Sequence, residues 1–359
     1  MMEIEDWESA ESMPMLYREL QALDLLSNIA ELETFGFTVI PPEKVAPPEF
    51  HEAVKDALIR VVERRFGSLE QAGNRWQDTN DLLRFVLFED PIFEKVVMLP
   101  AALGLIQYLV GTNCTLSLCD GWIKGPGEGR TRVHCDWTDA TRKAFPPEPN
   151  HANINYLLTD YSKAHGGIGF VPGSHKWRRM PSNEESNAWA NKLHPIEAPA
   201  GSIVLWGDHT WHGSFPRTTP GHRLMVLCEY ARPRLQMEEP FRETVTQEML
   251  DRNPIRFSGL MDVYGPFPFG LSDRDRARAD QGPPSTGADL DPNKYCSLFD
   301  TEPAAGRTTL RPKYDYFEHD GLMVYERFRK FAESAKAKQD VAKQRGLTWV
   351  DQSVLSDRE

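Results

Sequence analysis

The stretch Arg132-Val-His-Cys-Asp-Trp137, answered far downstream by Trp211-His-Gly-Ser214, decides how this chain is read. His134 and Asp136 are two residues apart, and in an extended chain residues i and i+2 face the same way, so both donors can reach one ion. Cys135 between them points to the opposite face and reads as a small packing residue. A third donor must arrive from another strand, and His212 supplies it. Two imidazoles and one carboxylate are the set that holds Fe(II) on one face and leaves the other open. Zinc accepts similar nitrogen and oxygen ligands, so a zinc- or manganese-dependent hydrolase or isomerase stays open at this point. His209 is a rival distal ligand, but the Trp-His-Gly-Ser setting and the placement of Arg223 beyond it favour His212.

Working outward, short extended runs with turn punctuation surround the motif. Candidate strands are 115–123, 132–136, 151–158, 167–171, 202–206 and 223–232, separated by Gly125-Pro-Gly127, Gly166-Gly167, Pro172-Gly173 and Pro220-Gly221. Such spacing argues for a sandwich or barrel and against a doubly wound sheet. Ahead of these, 14–32, 50–66, 81–88 and 91–109 carry helical periodicity, with a strand at 35–40. The fold class expected is mainly β with flanking helices: a double-stranded β-helix (jelly roll, cupin-like) core packed by N-terminal and C-terminal helices. The division expected is 1–232 for the core with its N-terminal helices, and 233–359 for a C-terminal extension of loops and a charged helix over 316–346. That extension packs on the core and would serve as a lid or a homodimer contact.

Composition narrows the function. The chain has 359 residues, 40% hydrophobic, with nine Trp, enough for a sizeable core. A formal net charge of −12 disfavours a nucleic-acid partner, which needs a basic face. No apolar run reaches the length of a membrane span, so no membrane partner is expected. Five Cys, odd in number and without C-x-x-C pairing, suggest neither disulfides nor a thiolate zinc site. With no secretory leader visible, a cytoplasmic location is expected.

The ordered series His134-x-Asp136, Pro172-Gly-Ser-His175, Trp211-His-Gly-Ser214 and Arg223 closely resembles the phytanoyl-CoA dioxygenase family of Fe(II)/2-oxoglutarate oxygenases, over roughly residues 30 to 232. The resemblance implies Fe(II) held by His134, Asp136 and His212, with 2-oxoglutarate and O2 as cosubstrates. It places Arg223 as the cation for the 5-carboxylate of 2-oxoglutarate, since a guanidinium fork matches a carboxylate bidentately, and Ser214 as a supporting hydroxyl. Relatives that halogenate replace the carboxylate ligand, and this chain keeps Asp136, which favours hydroxylation. Desaturation, cyclisation and epimerisation use the same triad. The strand before the motif suggests cosubstrate or pocket roles for Lys124 and Trp122. On the strand after it one of Asn153 and Asn155 should face the pocket, and Asn155 is chosen. Trp137 is pocket wall or core, and His175 stabilises a turn. The expected partner is a small molecule, most plainly a specialised metabolite. A non-catalytic relative is the further alternative, against which the intact triad and arginine argue. Loops 137–150, 176–199 and 233–300 carry no recognition motif, and 142–149 is charged and proline-rich, consistent with a lid.

Overall fold

The computed structural model describes residues 12–75, 83–137, 144–233 and 235–263. Among these, eight strands form two antiparallel sheets: β1 (Phe37–Ile40), β2 (Thr115–Lys124), β3 (His151–Leu157), β4 (Ile168–Phe170), β5 (His194–Pro195), β6 (Ile203–Gly207), β7 (His212–Ser214) and β8 (Arg223–Ala231). The larger sheet runs β1-β6-β3-β8-β2 and the smaller β5-β4-β7. Together they make the two walls of the jelly roll, with the expected flanking helices.

Alternation along the strands builds two separate interiors from the larger sheet. Ile154 and Tyr156 of β3, Ile203 and Leu205 of β6, and Leu224, Val226, Cys228 and Tyr230 of β8 face the helices. They join Leu16, Leu20, Val54, Leu58, Val61 and Ile106 of those helices in one buried cluster. The opposite positions, including Leu157, Val204, Trp206 and Met225, face the smaller sheet with Phe37, Ile168 and Phe170. Phe37 and Phe170 stack across the gap with centroids 4.3 Å apart. Full burial of each such side chain contributes about 1.5–3 kcal/mol.

Local chemistry moves several expected boundaries. Helix 14–32 breaks in two, Ser12–Ala22 and Leu26–Phe35, around Asp24 at φ 55°. The second ends at Gly36 (φ +87°), where an added Cβ would lie 2.5 Å from His175 Nδ1 and 2.7 Å from Thr210 Oγ1. Pro100 opens a new helix, Pro100–Val110, so 91–109 is also two pieces, the first being Ile92–Val96. Of the helix expected over 81–88, residues 81 and 82 lie outside the described residues, and the rest is instead a 3₁₀ turn, Val86–Phe88, preceded by a bridge between Leu83 and Gly121 that ties it to β2. Residues 132–136 form no strand: a single antiparallel bridge joins His134 to His212.

Within 176–199, helix Asn183–Trp189 is capped by Ser182 and Glu185 in a reciprocal box. The segment after β8 is less loop-like than its sequence suggests. Helices Phe241–Thr244, Gln247–Arg252 and Ile255–Leu260 place Phe241, Met249, Leu250, Phe257 and Leu260 in the helix-side cluster. The charged helix expected at 316–346 lies outside the described residues, as do 138–143, which include the first two residues of the lid expected at 142–149. Phe145 in that lid is buried rather than exposed, stacked on Trp137 at 4.6 Å.

Candidate active site

A cavity of about 620 Å3 opens between the sheets, and the inward positions of the strands line it. Along β8 these are Arg223, Met225, Leu227 and Glu229; along β2, Leu118, Asp120 and Trp122; along β3, Asn153 and Asn155. Six residues of antiparallel strand separate Arg223 from Glu229, about 20 Å at 3.4 Å per residue. The cavity therefore has two ends.

His134, Asp136 and His212 line the cavity at the level of Asn153, with candidate ligand atoms all within 4.8 Å of one another. Mutual backbone hydrogen bonds between His134 and His212 (2.9 and 2.8 Å) bring the two imidazoles together. Gly213 permits this approach, since a Cβ there would lie 2.9 Å from the Thr131 carbonyl oxygen. Each ring is turned the same way. His134 Nδ1 donates to the Arg132 carbonyl (2.8 Å), and His212 Nδ1 donates to the Thr210 carbonyl (2.9 Å). Both Nε2 atoms thus face Asp136 Oδ1, at 3.3 and 3.5 Å. Carbonyl-fixed tautomers with convergent Nε2 lone pairs are what a metal centre requires of its imidazoles.

The other oxygen of Asp136 accepts hydrogen bonds from Asn153 Nδ2 (2.8 Å) and Trp206 Nε1 (3.1 Å). Burial alone would raise the Asp136 carboxyl, but the imidazoles and the Trp206 N–H outweigh it and hold it well below the usual carboxylate range. Burial lowers His212 to about 4, keeping its ring neutral and able to coordinate. His134 is raised: burial opposes its charge, and contact with Asp136 prevails. The donor set therefore fits a divalent ion of the Fe(II) type.

At one end stands Arg223, opposite Lys124 in the β2–β8 register and 2% exposed. Its Nη1 donates to the Gly166 carbonyl, its guanidinium lies over Tyr161 at 5.2 Å, and its buried Nε has no hydrogen-bond partner. Ser214 lines the wall here, and its Oγ accepts from Thr131 N–H (2.8 Å), leaving the hydroxyl proton free to donate. Lys124 departs from expectation: it does not line the cavity. Its Nζ donates to the Phe215 carbonyl at 2.6 Å and lies 3.5 Å from Ser214 Oγ, so it braces that segment from behind. Burial, with Arg223 and Arg217 nearby, lowers it to about 6.

Choosing between Asn153 and Asn155 is also corrected. Residues two apart on a strand share a face, and both line the cavity. Asn153 is the one that donates to Asp136, and the period-2 pattern places it on the same face as Asn155. Asn155 Oδ1 is buried without a partner. Trp122 lines the cavity. Trp137 is both wall and core, packed with Val133, Cys135, Phe145 and Trp211. His209 lies outside the triad, beside the stacked rings of Trp137 and Phe145 at 5.2 Å from each. His175 reaches the Glu33 carbonyl (3.3 Å), away from the site.

The far end is acidic, which sequence reading missed. Asp120, Glu229 and Glu238 line it together with Arg84. Arg84 Nη1 lies 3.0 Å from carboxylate oxygens of both Asp120 and Glu238. Burial raises Asp120 to about 6 and Glu229 to about 7. The signal was a charged residue at an inward position of an otherwise apolar strand, Arg223-Leu-Met-Val-Leu-Cys-Glu-Tyr230.

The phytanoyl-CoA dioxygenase (PhyH) family model matches residues 32–225, more than half of the chain, including His134, Asp136, His212 and Arg223. The chain belongs to the phytanoyl-CoA dioxygenase family. With the family comes the enzyme class, an iron- and 2-oxoglutarate-dependent dioxygenase that uses O2. An uncharacterized protein of Mycobacterium tuberculosis, Rv1501, is 21% identical over 237 residues, covering 65% of this chain and 85% of that one. Dioxygenase af480 of Aspergillus fumigatus is 26% identical over 200 residues, 51% of this chain and 60% of its own. Among solved structures, HygX from Streptomyces hygroscopicus with nickel and 2-oxoglutarate bound aligns at TM-score 0.47 and 17% identity, over 59% of this chain and 88% of that chain. No helix among the described residues is long and apolar enough to cross a membrane.

Proposed function

We propose that this phytanoyl-CoA dioxygenase family member hydroxylates a C–H bond of a small-molecule, specialised-metabolite substrate, with 2-oxoglutarate decarboxylated to succinate. The observation that carries the proposal is the convergence of His134, Asp136 and His212 in a cavity with a buried arginine at one end. His134, Asp136 and His212 would hold Fe(II). Iron with 2-oxoglutarate and O2 supplies the oxidising power, one oxygen atom going to succinate and the other to the product hydroxyl, with CO2 released. The protein's own contribution is positioning and shielding. Arg223 offers its free Nε to the distal carboxylate of 2-oxoglutarate, and Ser214 donates its hydroxyl proton to the same group. Asn153 and Trp206 fix the Asp136 carboxylate, and the Arg132 and Thr210 carbonyls fix the imidazole tautomers. Asn155, Trp122 and Trp137 form walls that exclude water from the reacting carbon.

In this reading residues 1–232 carry the catalysis and 233–359 form an extension, working in the cytoplasm on a small molecule with no nucleic-acid partner, and a homodimer is the assembly proposed. Retention of Asp136 supports hydroxylation over halogenation. Screening metabolites for Fe(II)-dependent succinate release, then running the best substrate under ¹⁸O2, tests the proposal. Incorporation of label into a product hydroxyl supports it; desaturated, cyclised or epimerised product without label would refute the hydroxylation assignment.

A further inference from the structure

The cavity end farthest from Arg223 carries more negative charge than its neighbours balance. Glu229 is 8% exposed and lines the cavity. Its hydrogen-bonding neighbour is the Ser117 side chain, and no Lys or Arg forms an ion pair with it among the described residues. The basic group that acts on it is His151 on β3, whose Nδ1 lies 3.6 Å from Asp208 Oδ2. Asp120 is fully buried, lines the same cavity, and shares its carboxyl with Arg84 and the side chain of Glu239. A single guanidinium, Arg84, is divided between Asp120 and Glu238. Glu239 behind them is occupied with the Phe85 and Cys119 N–H groups (2.8 and 3.1 Å).

An unpaired buried carboxylate is costly; a proton relieves it, and a ligand cation can take the proton's place. The β3–β8 register sets Glu229 opposite Asn153, whose side chain holds Asp136. A cation on Glu229 would therefore lie one cross-strand neighbour from the oxidation centre, with Cβ atoms about 5 Å apart. Apolar Leu118, Met225, Leu227 and Trp122 line the same cavity, suited to a hydrocarbon portion. We propose that the substrate carries a cationic amine, received by Glu229 with support from Asp120, and that this contact sets which C–H bond is presented for oxidation. The inference rests on the proposed function, since it takes the triad as the oxidation centre.

The test uses the full-length protein loaded anaerobically with Fe(II) and 2-oxoglutarate, whose visible charge-transfer band is recorded first. Phenethylamine, tryptamine and cadaverine, each against its N-acetyl derivative, are then titrated by calorimetry. Wild-type protein should bind at least one amine tenfold or more tightly than its N-acetyl form, and Glu229→Gln should reduce that preference to threefold or less while the band is unchanged. A normal band without amine preference in the wild type, including failure of every probe to bind, overturns the amine assignment and leaves the oxygenase reading standing. A preference that survives Glu229→Gln overturns the role of Glu229. Absence of the band itself is failure of the oxygenase reading. The wild-type comparison needs no variant, so poor folding of Glu229→Gln does not rescue the proposal.

Discussion

Replacing Asn153 by Leu tests whether the cluster is a metal centre or a buried polar network. Asn153 is 3% exposed, and its Nδ2 gives Asp136 Oδ2 one of two hydrogen bonds, the other coming from Trp206 Nε1. Leucine keeps the volume and removes the donor. A hydrogen bond to a charged group contributes about 1.5–3 kcal/mol, and loss of such an outer partner weakens metal binding about 10- to 100-fold. With Trp206 still in place, Fe(II) affinity should fall by a factor within that range, while the KM for 2-oxoglutarate at saturating iron stays near the wild-type value. Anaerobic Fe(II) titration and steady-state succinate release measure the two quantities. Unchanged Fe(II) affinity in a folded Asn153→Leu protein would mean that Asp136 is not a ligand, and the reasoning would fail.

Three other outcomes follow from the same geometry. Arg223→Ala should raise the KM for 2-oxoglutarate more than about thirtyfold, from the roughly 2–5 kcal/mol lost when a buried charge pair is truncated, with Fe(II) binding intact; an unchanged KM would remove the anchor assignment. Glu229, raised from 4.5 to about 7 by burial, keeps its proton more firmly in the folded protein, so its contribution is fully favourable below about pH 4.5 and is lost as pH rises through 7. Urea unfolding should find Glu229→Gln more stable than wild type at pH 8, by at most about 3 kcal/mol, with a smaller gain at pH 5; equal gains at both would contradict this. Gly36→Ala must displace His175 or Thr210, and Thr210 both donates to the Gly36 carbonyl and accepts from His212. That variant should lose about 1–3 kcal/mol of stability, the cost of a strained backbone position, and also bind Fe(II) less tightly, as thermal melts with and without metal would register.

The parts of the fold and site legible in the sequence were those governed by strand periodicity and by ligand chemistry. His134 and Asp136 converge because i and i+2 share a face, even though the segment makes only one bridge instead of a strand. The family resemblance located His212, Arg223 and Ser214, and the structure brings all three to the cavity. What escaped depends on long-range contacts. Lys124 sits at an inward strand position, yet the Phe215 carbonyl draws its amine behind the wall. Nothing local to 81–88 announces that Leu83 will bridge Gly121. The acidic end could not be assembled from sequence because Arg84, Asp120, Glu229 and Glu238 come from three distant segments. Asn153 was within reach, since the rule that selected Asn155 applies equally to its neighbour two residues away.

Anaerobic addition of Fe(II) and then 2-oxoglutarate to the metal-free protein tests the central claim most directly, by following the weak visible charge-transfer band of the chelate. The account predicts a band that needs both components and is lost in a folded His212→Ala protein. No band, or a band that persists without His212, would contradict it.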